Sequence, residues 1–183
     1  MTIEFKHLVY DKKHYLKHPE SVNEDLMICD EIGNSCFKKC TNLISINIPN
    51  SVKIIADYCF SNCSNLTEIT IPNSVIKIGD YCFEYCSNLS KIIIPNSVKI
   101  IGNCCFYECV NLASITIPDS ITKIGVLCFK KCTNLTSIII PNSVEEIGDY
   151  CFYGCINLIK IDIPNSVTRV GNCCFHYCIN LKK

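Results

Sequence analysis

The chain has 183 residues with 17 basic and 17 acidic side chains, so its formal net charge is zero. This balance gives no overall field that would attract nucleic acid or an anionic membrane. Apolar residues make up 49% of the sequence, which suffices for a continuous core, yet no apolar run approaches the ~18 residues of a transmembrane helix. We therefore expect no nucleic-acid partner and no transmembrane segment.

The first 25 residues lack the pattern that governs the rest of the chain. Ile3 and Phe5 alternate with polar neighbours, and no apolar run has the length of a secretory signal core. We interpret residues 1–25 as a capping segment, because the ends of stacked repeats need an atypical unit to cover the core. We also expect a cytoplasmic location, with transport to the cell surface by an unconventional route as the alternative.

From residue 26 to residue 183 one pattern returns every 23 residues. Phenylalanine recurs at this interval seven times, at Phe37, Phe60, Phe83, Phe106, Phe129, Phe152 and Phe175. Self-similarity at a fixed period of this length indicates one supersecondary unit stacked on copies of itself. The sequence therefore predicts an α/β-type repeat solenoid of about seven units.

Each unit contains a predicted strand, a turn, a short extended segment and a second turn. The Leu-x-x-Ile-x-Ile segment, as at residues 66–71, is rich in β-branched residues and predicts a strand. Pro-Asn-Ser then predicts a turn, and Val-x-x-Ile a short extended return. A glycine supplies a permissive backbone, and the Asn or Asp after it is suited to cap a single helical turn over Cys-Phe-x-x-Cys.

The combined motif is Leu-x-x-Ile-x-Ile-Pro-Asn-Ser-Val-x-x-Ile-Gly-x-x-Cys-Phe-x-x-Cys-x-Asn-Leu, and it resembles the BspA-type leucine-rich repeat. The resemblance covers about residues 26–183, although that family usually has alanine at the first cysteine. It implies a curved right-handed solenoid with a parallel sheet on the concave face and short extended segments and helical turns on the convex face. It also implies a protein-binding role, often at the surfaces of bacteria and protists.

The sequence contains 17 cysteines, of which fourteen lie in the Cys-Phe-x-x-Cys segments. If these segments are helical, the Cβ atoms of each pair are ~5–6 Å apart, too far for a disulfide. We interpret the cysteines as a ladder of buried free thiols in a reducing compartment. Zinc held by thiolates of adjacent units, and disulfides between units, remain alternatives.

An asparagine precedes the strand leucine in every unit, at Asn42, Asn65, Asn88, Asn111, Asn134, Asn157 and Asn180. A polar residue at a buried turn must satisfy backbone groups there. We therefore predict an asparagine ladder that joins neighbouring coils.

No arrangement of acid, serine and histidine residues supports nucleophilic catalysis, so we expect no catalytic residues, no metal and no cofactor. The informative surface is instead the outward side of the strands on the concave face. The predicted partner-binding residues there are Ser45, Asn47, Glu68, Thr70, Lys91, Ile93, Ser114, Thr116, Ser137, Ile139, Lys160 and Asp162. A solvated sheet face with no partner is the alternative reading.

The last unit offers an unpaired strand edge and an uncovered core. Edges of this kind favour pairing with another chain, so the sequence predicts a homodimer through the C-terminal coil. The predicted interface residues are Phe175, His176, Tyr177 and Leu181. For the protein as a whole we expect a non-enzymatic protein–protein interaction module, with an adhesin-like surface protein and a thiol-rich metal or redox protein as alternatives.

Overall fold

The computed structural model describes residues 9–10 and 29–182, and over this part the chain winds into stacked coils of 23 residues. Its strands, numbered along the chain, are β1 (Val9–Tyr10), β2 (Glu31–Ile32), β3 (Ile54–Ile55), β4 (Glu68–Thr70), β5 (Lys77–Ile78), β6 (Lys91–Ile93), β7 (Ile100–Ile101), β8 (Ser114–Thr116), β9 (Lys123–Ile124), β10 (Ser137–Ile139), β11 (Glu146–Ile147), β12 (Lys160–Asp162) and β13 (Arg169–Val170). The predicted repeat solenoid is confirmed.

These strands form two parallel layers on different sides of each coil. The Leu-x-x-Ile-x-Ile strands form one layer, here called the first sheet, in two paired groups, β4-β6 and β8-β10-β12. The short strands form the other layer, the second sheet, also in two paired groups, β1-β2-β3-β5-β7 and β9-β11-β13. In both layers the pairing is interrupted between the coil of residues 88–110 and the coil of residues 111–133. Every pairing is parallel, and all except that of β1 with β2 join residues one period apart, as in Ile115 with Ile138. The predicted strand at residues 43–48 forms only a single bridge, between Asn47 and Thr70.

The capping segment lies almost entirely outside the described residues. Its two described residues, Val9 and Tyr10, form strand β1, which pairs with β2 at the N-terminal edge of the second sheet.

The core lies between the two sheets and the Cys-Phe-x-x-Cys turns. Phenylalanine rings of neighbouring coils stack with centroids 5.3 to 5.6 Å apart and planes within 6° of parallel. Offset stacking of this kind adds about 0.5–1.5 kcal/mol per pair to the burial of the rings. The strand isoleucines and leucines of each coil fill the rest of the core, as at Leu66, Ile69 and Ile71.

The predicted helical turn over Cys-Phe-x-x-Cys is wrong. Two consecutive tight turns are found instead, with left-handed residues such as Tyr81 (φ 56°) and Tyr85 (φ 57°) before the two cysteines. The Tyr85 N–H donates to the carbonyl oxygen of Tyr107 in the next coil at 2.8 Å rather than to a carbonyl of its own turn. Hydrogen bonds between coils therefore replace those of a helix. The described residues contain no α-helix, and so none that could cross a membrane.

The predicted roles of the glycine, as a permissive backbone, and of the following Asn or Asp, as a helix cap, are also wrong. The glycines of this position from Gly79 onward do not need a left-handed backbone; a Cβ at Gly102 would lie 2.4 Å from the backbone nitrogen of Asp80 in the preceding coil. The carboxylate of Asp80 does not cap a helix, since its Oδ1 accepts a hydrogen bond from the Asn103 N–H of the next coil at 2.7 Å. Both therefore allow neighbouring coils to stack closely: the glycine leaves no Cβ to clash with the preceding coil, and the Asp side chain bonds the next coil.

Candidate functional site

All twelve predicted partner-binding residues are exposed. The strands of the first sheet alternate exposed, buried and exposed side chains, because successive residues of a strand point to opposite faces. Register between coils then arranges the outward residues in two rows. The first row is Ser45, Glu68, Lys91, Ser114, Ser137 and Lys160, and the second row is Asn47, Thr70, Ile93, Thr116, Ile139 and Asp162.

The two rows differ in chemistry. In the first row, Glu68 lies opposite Lys91, and serines occupy the centre. Lys160 forms an ion pair with Asp162 at 2.8 Å, which is highly exposed and so contributes little to stability. In the second row, Ile93 is 52% exposed and Ile139 is 75% exposed, so two apolar side chains face solvent. In register, Ile139 lies between Thr116 and Asp162.

A groove of about 430 Å³ runs beside the second row in the N-terminal half of the solenoid. Three of the predicted residues, Asn47, Thr70 and Ile93, line it. Its other wall is formed by the ends of the strands and their prolines, Pro49, Pro72 and Pro95. The groove therefore combines side chains from neighbouring coils that are 23 residues apart in sequence.

A further exposed row was missed by the sequence analysis. It contains the residue directly after the strand leucine, and Ile44 (63% exposed) and Ile159 (45% exposed) are its apolar members. The spacing Leu-x-x-Ile leaves two outward positions, of which only the second was considered. In the four coils between them this position holds a small residue, and the hydroxyl of Thr67 donates to the Ile44 carbonyl oxygen at 3.4 Å.

The cysteines form the predicted ladder of thiols, and none of the 17 forms a disulfide in the described residues. Burial raises the pKa of Cys82 and Cys105 well above the ordinary value and raises that of Cys128 to about 12. A thiol with such a pKa is protonated at neutral pH, whereas nucleophilic attack and metal ligation need the thiolate. Within residues 29–182, no three Cys, His, Asp or Glu side chains are grouped so as to hold a metal ion.

The asparagine ladder is confirmed over four coils, but it is exposed rather than buried. The Nδ2 of Asn88 donates to Oδ1 of Asn65 at 3.3 Å, and the same contact joins Asn111 to Asn88 and Asn134 to Asn111. The amides thus bond mainly to one another along the solenoid axis instead of serving a buried turn.

The predicted dimer-interface residues lie together in the last described coil. Phe175 and Leu181 are partly buried against the core, whereas Tyr177 is 57% exposed. The ring of His176 lies 4.3 Å from that of Tyr177 and 5.7 Å from that of Tyr153, measured between centroids.

Comparison with known proteins agrees with this geometry. The family model described as "BspA type Leucine rich repeat region (6 copies)" matches residues 30–126 and 100–183. A leucine-rich repeat protein of T. pallidum is 30% identical with a TM-score of 0.81, and the match covers 85% of this chain and 72% of that one. One from Bacteroides ovatus is 33% identical with a TM-score of 0.61, covering 78% of this chain and 43% of that one.

A third similar structure, a leucine-rich repeat protein from Eubacterium ventriosum, is 25% identical with a TM-score of 0.65, covering 77% of this chain and 44% of that one. This chain therefore spans less than half the length of the second and third of these proteins. No curated protein sequence matches it significantly. The family match extends over most of the repeats, and the chain belongs to the BspA-type leucine-rich repeat proteins.

Proposed function

We propose that this protein is a non-enzymatic interaction module that binds a partner protein on the exposed rows of the first sheet. The observation that carries the proposal is the separation of roles within each strand. The inward positions repeat as isoleucine in every coil, whereas the outward positions change from coil to coil. A scaffold of this type offers an extended surface whose composition varies without affecting the core.

The chemistry of the two rows favours a protein as the ligand. Ile93 and Ile139 offer exposed apolar contacts, and the hydroxyls and charges around them offer hydrogen bonds. Protein interfaces combine apolar contacts with a polar rim in this way. The buried thiols, in contrast, are protonated and hydrogen-bonded, which argues against the metal or redox alternative.

The test is affinity capture from native lysate with charge reversals at Lys91 and Lys160, both exposed on the first row. We expect the double variant Lys91→Glu and Lys160→Glu to lose a specific partner. The matched control is Lys38→Glu and Lys39→Glu on the Cys-Phe-x-x-Cys side, which should retain it. An identical set of captured proteins for wild type and both variants would contradict binding on the first sheet.

We further propose that two copies associate through their C-terminal coils. The supporting observation is the exposure of residues that are buried in other coils: Ile163 is 40% exposed and Val170 is 44% exposed. Two-fold association would pair β12 and β13, each of which has one edge without a strand partner in the described residues, with their copies, and would cover Phe175, His176, Tyr177 and Leu181. Light scattering at a protein concentration of ~10 μM should give twice the mass of one chain for the wild type and the mass of a single chain for Val170→Asp. A monomeric wild type would disprove the dimer.

We also propose that the protein resides in a reducing cytoplasm, because its cysteines are thiols that form no disulfide. Alkylation of the protein in intact cells with a membrane-impermeant reagent should leave it unlabelled. Labelling at exposed Cys173 would instead favour the cell surface.

A further inference from the structure

Both sheets are interrupted at the same boundary, between the coil of residues 88–110 and the coil of residues 111–133. In the part of the chain that the structure describes, β6 does not pair with β8 and β7 does not pair with β9. The strand pairs on either side of this boundary are intact, β4 with β6 and β8 with β10 in the first sheet, and β5 with β7 and β9 with β11 in the second. We call this boundary the open junction.

On the first-sheet side, a backbone hydrogen bond that recurs along the stack is missing at the open junction. The Ser90 N–H donates to the Thr67 carbonyl oxygen at 3.0 Å in the preceding pair of coils, and the Thr136 N–H donates to that of Ala113 at 3.2 Å in the following pair. The equivalent donor at the junction, the Ala113 N–H, has no backbone acceptor among the described residues. The two coils are therefore too far apart here for the bond that joins their neighbours.

On the second-sheet side, the N–H groups of Thr122 and Gly125 likewise donate to no backbone acceptor within residues 29–182. Gly148, the equivalent of Gly125 one coil later, donates to the Ile124 carbonyl oxygen at 2.9 Å. A cleft of about 310 Å³ lies on this side of the junction, and Thr122 and Gly125 both line it. The gap is also seen at Gly125, where a Cβ would lie 3.1 Å from the nearest backbone atoms, compared with 2.4 Å at Gly102.

The two ends of the coil remain joined across the open junction. On the Cys-Phe-x-x-Cys side, the Phe106 N–H donates to the Cys128 carbonyl oxygen at 2.9 Å, and the rings of Phe106 and Phe129 stack at 5.3 Å. At the turn from the first sheet to the second, the Ser120 hydroxyl donates to the Val98 carbonyl oxygen. Because one sheet runs along each side of the coil, the two gaps lie on opposite sides of a line that joins these retained contacts.

We propose that the open junction is a rocking hinge, at which residues 29–110 and residues 111–182 turn relative to each other about the line through the retained contacts. Rotation one way brings β8 to β6 and widens the gap between β7 and β9, whereas rotation the other way pairs the second sheet and widens the gap in the first. Each direction restores backbone hydrogen bonds in one sheet only. The junction therefore has two alternative arrangements, which is the property that lets a packed interface act as a hinge.

The residue that keeps both gaps open is Ile121, which follows the retained turn contact directly and lies between the two sheets. It is 1% exposed, so its side chain is enclosed in the close-packed core. An extra methylene in such a core displaces the neighbouring backbone segments. The five other coils with a Leu-x-x-Ile-x-Ile segment have valine at this position, namely Val52, Val75, Val98, Val144 and Val167.

Rocking changes the surface on which the partner is proposed to bind. The outward rows of the first sheet cross the open junction, from Lys91 and Ile93 on one side to Ser114 and Thr116 on the other. A partner that touches both halves would hold the hinge in one position. This consequence rests on the proposed function, whereas the rocking itself is measured on the chain without a partner and is judged independently of partner capture.

Hydrogen exchange of the full chain, followed by NMR, tests the open junction first. The amides of Ala113, Thr122 and Gly125 should exchange about tenfold or more faster than the amides 23 residues later in the sequence, because they lack backbone acceptors. The Phe106 amide should stay protected, because a hinge moves without unfolding of either half. Equal protection of the three amides and their counterparts, or rapid exchange at Phe106 as well, would overturn the hinge.

A covalent clamp across the first sheet separates rocking from a gap of fixed width. The pair Lys91→Cys and Ser114→Cys places thiols on outward neighbours at the open junction, and a short bifunctional thiol reagent bridges them. The matched control, Ser114→Cys with Ser137→Cys, bridges β8 and β10, which are already paired. Both pairs are made with Cys173→Ser, because Cys173 is exposed and would also react.

The clamp at the open junction should slow exchange at Ala113 and should speed exchange at Thr122 and Gly125 about threefold or more, because closing the first sheet widens the gap in the second. The control clamp should change none of the three rates. If the junction clamp slowed exchange at Thr122 and Gly125, or left it unchanged, the two gaps would not be coupled and the rocking would be disproved.

Removing the extra methylene tests its role in keeping both gaps open. Ile121→Val should slow exchange at Ala113, Thr122 and Gly125 together by about tenfold, because both sheets can then pair. The matched control, Ile147→Val, removes the same carbon from a buried position in the next coil and should leave the three rates as they are. Unchanged exchange in Ile121→Val would contradict the role given to Ile121. Circular dichroism of each variant verifies that it is folded.

Discussion

At the scale of single residues, the second cysteine of each Cys-Phe-x-x-Cys segment makes a polar contact inside the core. The Sγ of Cys109 donates to the carbonyl oxygen of Phe83 in the preceding coil at 3.0 Å. The same contact recurs along the stack, at Cys63, Cys86, Cys132, Cys155 and Cys178. The position thus requires a small, largely apolar side chain that also donates a hydrogen bond, which explains a thiol there.

Replacing one of these thiols should therefore destabilise the protein. We expect Cys109→Ala to lower the free energy of unfolding by about 1–2 kcal/mol, because it removes a hydrogen bond and leaves a small cavity. Cys173→Ala, at an exposed thiol, should change it by less than about 0.5 kcal/mol. Urea unfolding under reducing conditions gives both values. Equal losses for the two variants would show that the buried contact contributes nothing.

At the scale of elements, stacking distance decides which residues a coil tolerates. A Cβ at Gly102 would lie 2.4 Å from the backbone carbonyl carbon of Gly79, a separation that real structures do not show. At Gly125 the nearest atom is the side-chain oxygen of Asn103 at 2.9 Å, because strands β7 and β9 of these two coils do not pair and the coils lie further apart. Neither glycine has a positive φ, so contact between coils alone determines the requirement.

Two substitutions by alanine should consequently differ in cost. We expect Gly102→Ala to lower the unfolding midpoint markedly, since overpacking in a close-packed contact costs about 1–3 kcal/mol. Gly125→Ala should cost clearly less, because its new methyl group enters the wider gap between two coils whose strands β7 and β9 do not pair. Thermal unfolding followed by circular dichroism compares the two variants directly. A larger loss at Gly125 would indicate that this gap is closed in solution.

At the scale of the whole molecule, the stacked thiols link stability to pH. Burial raises the pKa of Cys82, Cys105 and Cys151 well above the ordinary value of 9.0 and that of Cys128 to about 12. Between the unfolded and folded pKa values, the folded chain keeps protons that the unfolded chain releases, so rising pH favours unfolding. Each such thiol contributes a slope of about 1.4 kcal/mol per pH unit in that window.

We therefore expect the thiols to leave stability unchanged up to about pH 9 and to cause a steep loss between about pH 9 and 12. Several thiols act together, so the loss should exceed that of a protein with a single buried cysteine. Thermal melts in a reducing buffer across this range provide the measurement. A melting temperature that stays constant up to about pH 12 would mean that the thiols are more exposed to solvent than they are in the structure.

The period, five of the six Leu-x-x-Ile-x-Ile strands and the inward set of isoleucines and phenylalanines were determined by the sequence alone. This was possible because side-chain alternation and repeat spacing are local properties, so Ile69 is buried and Thr70 exposed as the pattern predicts. The twelve outward residues of the first sheet followed from the same alternation.

Only the tertiary structure decided how one coil meets the next. Tyr85 adopts a left-handed turn instead of a helix because its N–H bonds to Tyr107 in the next coil. The missing pairing of β7 with β9 beside Gly125 likewise depends on the distance between two coils, although both carry nearly the same motif. Contacts between residues one full period apart are set by packing along the axis, and a pattern within a single repeat does not contain them.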